Sequence, residues 1–257
     1  MHKEKKLKHI ISTIIVISNI LGYFLTTAQA AEVLVYRNES MPWCATVSGK
    51  DAGITIDILR EITKHGGPKF IFKSLPWARA QRFVQKKPGT AIVPFTRTSE
   101  RETNHTWIVN LVPNQIRLTL NRKPVPLISI PSPLTLENAK HLPIGVILGS
   151  AIIPYMRKEG FTNLKLVPTA EQNVRKLAKG RIAAMAESKW VDNYLWNQIG
   201  ENSDDLIAGP NIGETKHIYL AAALNFSPEL TKQIRDAMNK VKESATYEQI
   251  LNKWTQF

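Results

Sequence analysis

The chain has 257 residues, 43% of them hydrophobic, one cysteine and a formal net charge of +13. That composition supports a packed core in one large domain or two small lobes. The lone Cys44 excludes an intramolecular disulfide. The chain has no basic run and no interleaved aromatics, which argues against nucleic acid as a partner; a basic surface can instead steer anions towards a cleft, hold the protein near an anionic membrane, or be simply a solvated lysine-rich surface.

The first element is an export signal spanning residues 1–30. Lys3, Lys5, Lys6 and Lys8 form a positive start, Ile10 to Leu25 is uncharged and largely apolar, and Ala28-Gln29-Ala30 offers small residues for cleavage. The apolar core is shorter than the roughly 20 residues of a spanning helix and is interrupted by Ser12, Thr13, Ser18 and Asn19. No cysteine at its end could accept a lipid. Cleavage near Ala30/Ala31 removes four lysines and one glutamate, leaving a periplasmic protein of about 227 residues with a charge of about +10.

Strand and helix patterns then alternate. Val33 to Arg37 predicts a strand, and Ile54, Ile58, Leu59 and Ile62 have helical spacing up to Gly66-Gly67. Phe70 to Lys73 predicts a second strand. A helix carrying Trp77, Ala80 and Val84 follows and stops at Pro88-Gly89. Thr90 to Phe95 is a third strand, which Pro94 marks as an edge or a strand end. Right-handed crossovers make this a mostly parallel sheet covered by helices.

A proline-rich stretch, Pro124 to Pro133, separates a second lobe in which the pattern restarts. Leu142 to Leu148 predicts a strand turning at Gly149-Ser150 into a helix. Thr169 and Gln172 suggest a capping box for a helix through Lys179, Ile182 to Ala186 a buried strand, and Trp190, Val191, Tyr194 and Leu195 a helical apolar face. Ser227-Pro228-Glu229 opens a helix with a good N-cap and proline at its first position. A last helix turns Tyr247, Ile250, Leu251 and Trp254 inward, against the first lobe.

The segments Gly53 to Ile58, Pro76 to Ala80, Thr96 to Arg101, Val146 to Ser150, Gly180-Arg181-Ile182 and Ala245 to Ile250, with Leu136 ahead of the fourth, stand in an order and spacing that resemble bacterial extracellular solute-binding proteins of family 3. Those are the receptors of polar amino acid ABC transporters. The resemblance spans essentially all of the mature chain and implies an α/β, two-lobed periplasmic-binding-protein fold of type II. Its lobes are 31–112 with the return 215–257, and 116–210, joined by crossings at 113–115 and 211–214 that let them close like a hinged clamp. It also implies a small carboxylate-bearing ligand, an inner-membrane ABC permease as partner, no cofactor or metal, and a monomer.

The family's carboxylate-binding arginine falls on Arg101, whose paired donors match a carboxylate fork. Phe95 precedes Thr96, which would add a hydroxyl or backbone donor. Gly149 and Ser150 fall at the helix start with which the second lobe would grip the same anion. Trp77 and Trp43 would wall the ligand. Arg79 and Arg97 are secondary candidates, and a surface pair with Glu100 or Glu102 is the competing role for Arg101.

The departure from the family lies at its ammonium-binding aspartate, which aligns with Ser188 or its neighbourhood in Ala186-Glu187-Ser188-Lys189, while Ala183 replaces a second usual aspartate. Glu187 is the one replacement on offer. If it does not reach the ligand, an organic anion without an amine becomes the better candidate. An enzyme of the same fold, such as a cyclohexadienyl dehydratase, would need a placed acid, for which Glu187 is the sole nominee. His105 and His217 read as ordinary histidines. There is no metal-ligand spacing, phosphate-cradling glycine loop or nucleophile elbow. With the chain stopping at Phe257, a fused sensor kinase or lytic module is disfavoured too, leaving catalysis and sensing as alternatives to a transport receptor.

Overall fold

In the computed structural model, residues 31–123 and 128–255 are described; the expected export signal at 1–30 and the start of the proline-rich stretch lie outside them. The chain opens with strand β1 (Glu32–Arg37), the short hairpin β2 (Ala45–Val47) and β3 (Lys50–Ala52), and helix α1 (Ile54–Lys64). It continues with β4 (Lys69–Ser74), α2 (Trp77–Lys86), β5 (Thr90–Thr96), the single turn α3 (Ser99–Glu102) and β6 (Thr106–Asn114). One residue, Gln115, separates β6 from β7 (Ile116–Asn121). Then follow α4 (Leu136–Ala139), β8 (Ile144–Ile147), α5 (Ile152–Lys158), β9 (Leu164–Val167), α6 (Ala170–Ala178), β10 (Ala184–Ser188), α7 (Lys189–Gln198) and β11 (Leu206–Asn211). The chain closes with β12 (Lys216–Ala222), α8 (Pro228–Glu243) and α9 (Ala245–Thr255).

Two five-stranded sheets result, ordered β4-β1-β5-β12-β6 and β11-β7-β10-β8-β9. In each, the strands joined through helices pair in parallel, β1 with β4 and β5, and β8 with β9 and β10. The antiparallel pairs all involve β6, β7, β11 or β12, the strands that carry the chain from one sheet to the other and back. The sheets are therefore mixed. A strand that arrives directly from the other sheet needs no helical crossover and can run either way.

Pro94 lies in β5, a central strand flanked by β1 and β12. Of the edge or strand end expected for it, the edge does not hold; Pro94 stands two residues before the strand's end at Thr96. Its missing N–H falls where the pairing with β12 shifts register between Tyr219 and Ala221, so no regular ladder bond is lost.

Helix α1 buries Ile54, Ile58, Leu59 and Ile62 completely and packs against α8 and α9. Each such side chain contributes about 1.5–3 kcal/mol. Ser227 caps α8 through a bond from the Leu230 amide at 3.1 Å, with Pro228 at the first helical position. Thr169 occupies the N-cap of α6 but its side chain makes no capping bond, contrary to the capping box expected there. Among the described residues no helix is long and apolar enough to cross a membrane.

Candidate functional site

Strand β5 ends at Thr96, and the chain turns through Thr98 into α3, which carries Arg101 back beneath the strand end. The Arg101 guanidinium donates from Nη1 to the Thr96 carbonyl at 2.9 Å. From Nη2 it donates to Gln81 Oε1 at 2.9 Å and to the Gly149 carbonyl at 3.0 Å. It lies 4.2 Å from the centroid of Phe95, which stacks on Trp107 at 5.5 Å and 15°. All three acceptors are neutral, and Glu102 pairs with Arg97 instead. Burial pushes the Arg101 pKa down to about 10, so it remains charged at neutral pH.

Arg101, Thr96, Trp43, Trp77, Ser150 and Glu187 line one cavity of about 70 Å³ between the two sheets. Among the described residues Arg101 is the one cation on its wall and Glu187 the one carboxylate. Phe95 is fully buried and lies beneath Arg101. His105 packs below Phe95, its Nδ1 3.2 Å from the Arg101 carbonyl. Arg79 and His217 are exposed, and Arg97 sits near the Trp107 and Tyr219 rings outside the cavity.

Gly149 turns its carbonyl, an acceptor, towards Arg101 and Gln81. Its φ is +81° and a Cβ there would lie 2.8 Å from Gln81 Nε2, so a glycine suits both the backbone and the approach. Helix α5 starts only at Ile152, with Ala151 as its N-cap. The hydroxyl oxygen of Ser150 is 3.5 Å from the Ile152 amide.

Glu187 and Ser188 part ways at the end of β10. Ser188 is buried and its Oγ accepts from the Trp190 amide at 3.4 Å as the N-cap of α7. Glu187 faces the cavity, its Oε1 accepting from the Ser188 amide at 2.9 Å. Burial pushes the Glu187 carboxyl up to about 7, against the pull of that bond. Behind it Asp192 is fully buried, with Oδ2 accepting from Thr119 Oγ1 and Oδ1 without a partner. Burial drives the Asp192 pKa well above the usual carboxylate range, with the Glu187 charge adding to the effect.

The Trp43 wall is held from below. Buried Arg37 donates from Nε to Asp51 at 2.9 Å, from Nη1 to Glu39 at 2.8 Å and from Nη2 to Thr46 Oγ1 at 2.7 Å, tying β1 to the hairpin after Trp43. Thr55 Oγ1 adds a bond to the Trp43 carbonyl at 2.8 Å. Sequence reasoning did not single out Arg37, Gln81, Asn114 or Asp192. Gln81 was readable, since it lies four residues after Trp77 on the same helical face. The burial of the other three depends on contacts made across the fold.

Residues 33–257 match the bacterial extracellular solute-binding proteins, family 3. The chain belongs to that family. No curated protein is a match to its sequence. Among solved structures it is similar to a histidine kinase sensor domain with similarity to periplasmic binding proteins, at 16% identity and a TM-score of 0.77, covering 89% of this chain and 97% of that one. It is also similar to an ancestral arginine-binding protein bound to arginine, at 20% identity and a TM-score of 0.74 over 88% and 99%. The arginine-, lysine-, histidine-binding protein from Geobacillus stearothermophilus matches at 18% identity and 0.72 over 87% and 94%. These likenesses establish the two-lobed periplasmic-binding-protein fold, and the family makes the chain a solute-binding protein.

Proposed function

We propose that this member of the family is a periplasmic receptor that captures a small ligand bearing both a carboxylate and a cationic amine, and delivers it to an inner-membrane ABC permease. The observation that carries the reading is the pairing of Arg101 and Glu187 as the sole charged groups, among the described residues, on the wall of one interlobe cavity. A partly buried guanidinium that meets only neutral acceptors gains most from an anion, because charge-assisted bonds are roughly twice as strong as neutral ones. A ligand carboxylate would take over the donors now spent on Gly149, and its amine would meet Glu187 in place of the family's aspartate. Trp43 and Trp77 would cover the carbon atoms between. The lobes are 31–112 with 215–257, and 116–210, and they would close by bending at 113–115 and 211–214. Closure follows ligand capture because only the closed state offers both charged partners. Export by residues 1–30 and monomeric action belong to the same reading.

Calorimetric titration with matched ligands tests it: an amino acid, the same acid without its amine, and the same amine without its acid. Binding of the amino acid alone supports the reading. Equal binding of the amine-free acid would remove Glu187 from ligand recognition.

A further inference from the structure

The cavity between Arg101 and Glu187, at about 70 Å³, has room for the head of an amino acid and little more. Ligand sites of this kind usually span about 300–1,000 Å³. Next to it lies a second cavity of about 680 Å³. The two share Thr96, Asn114, Ile116, Ser150 and Ala151 as wall residues, so they adjoin along that line. The larger one runs beside the two crossings between the sheets, under Tyr155, whose ring carbons lie 3.6–3.7 Å from where a side chain on Gly213 would begin.

Apolar surface predominates on its wall, where Leu136, Ile152, Pro154, Tyr155 and Ile212 stand beside the polar Thr98, Ser99 and Asn211. Charges stand at its rim in both signs, Lys158 and Lys216 against Glu100 and Glu214, and Lys216 and Glu214 face each other at 3.9 Å. A strongly charged tail finds no one-sided field there. At the junction itself stands Asn114, the last residue of β6, 8% exposed, with its Oδ1 lacking any hydrogen-bond partner. A buried acceptor left unpaired is costly, and a donor brought by a ligand would relieve it.

We infer that the ligand is an amino acid with a long, mostly apolar side chain carrying an N–H group, its head between Arg101 and Glu187, its N–H on Asn114 and its tail under Tyr155. The inference rests on the reading of the head site given above and adds the class of side chain. Free small amino acids would fill only the first cavity and leave the second empty.

Two matched pairs test it by calorimetry on the purified protein: L-glutamine against its γ-anilide, and L-lysine against Nε-benzoyl-L-lysine. Each pair keeps the amino acid head, and the second member adds an aryl amide tail. In at least one pair the extended member is expected to bind tenfold or more tightly. Ile152→Trp, which fills the second cavity alone, should erase that advantage while the simple amino acid binds as before; Leu136→Trp is the alternative plug if the first variant does not fold. Simple and extended members binding equally, or the extended one more weakly, would overturn the inference and leave the head site standing. Failure of all four compounds, and of a wider set of amino acids, would overturn the head site and this inference together.

Discussion

The indole rings of Trp43 and Trp190 meet edge to face at 5.3 Å and 62°, one carried by the loop after β1 and the other by α7 on the second sheet. Together with the bond from Arg101 to the Gly149 carbonyl, this contact spans the two halves of the cleft. Such an aromatic pair is worth about 0.5–1.5 kcal/mol beyond its buried area. Trp190→Ala should therefore shift the empty protein towards an open form, raise its radius of gyration in X-ray scattering, and weaken ligand affinity roughly fivefold, the equivalent of about 1 kcal/mol. An unchanged scattering profile would mean that the ring pair plays no part in closure.

Glu187 predicts a pH dependence. A carboxyl whose folded pKa stands above its usual 4.5, at about 7, holds its proton more tightly in the native state. Stability is thus fully present below about 4.5 and falls as pH climbs to about 7, where the loss levels off. Arg117, opposite Glu187 on β7, and Asp192 behind it, whose pKa burial drives well above the usual carboxylate range, share this environment. Glu187→Gln should melt at the higher temperature at pH 8 and show little difference from the native protein at pH 4. A cationic ligand group favours the ionised form, so affinity should rise from pH 5 to about pH 7 and then plateau, flattening in the Gln variant. Parallel pH profiles for the two proteins would place the titrating group elsewhere.

Arg37 anchors the Trp43 corner, and its removal strands Asp51 and Glu39 without their cation. Those carboxylates are partly open to water, so Arg37→Met should cost near the low end of the range for a broken buried pair, about 3 kcal/mol. Cys44 in the same corner is completely buried, and burial pushes its thiol up to about 12. In the native protein it should resist thiol reagents, and in Arg37→Met it should label measurably faster under native conditions. Equal labelling rates would show that the corner does not depend on Arg37.

Much of this architecture was legible in the residues, because the alternation of strand and helix follows apolar spacing that local chemistry dictates. Ile54 to Ile62 announced α1, and Ser227-Pro228 announced the start of α8. The antiparallel strands around the crossings were not legible, since their direction depends on which sheet the chain enters next. At the site, the ordered segments placed Arg101 and Thr96 at the end of β5. Which of Glu187 and Ser188 faces the cavity turns on alternation along β10, and a shift of the strand from Ile182–Ala186 to Ala184–Ser188 moves its end beyond Glu187. Nothing in the residues announced that the helix begins three residues after Gly149, which turns its carbonyl towards Arg101.

The central claim is that Arg101 is the carboxylate clamp, and one measurement tests it most directly. Thermal shift of the native protein and of Arg101→Met against a panel of amino acids, with binding confirmed by calorimetry, should yield at least one ligand that raises the melting temperature of the native protein alone. In the variant that ligand should lose a hundredfold or more in affinity, about 2.7 kcal/mol, while the variant itself melts cooperatively. Retention of the native affinity by Arg101→Met would contradict the account and move the anion site away from the end of β5.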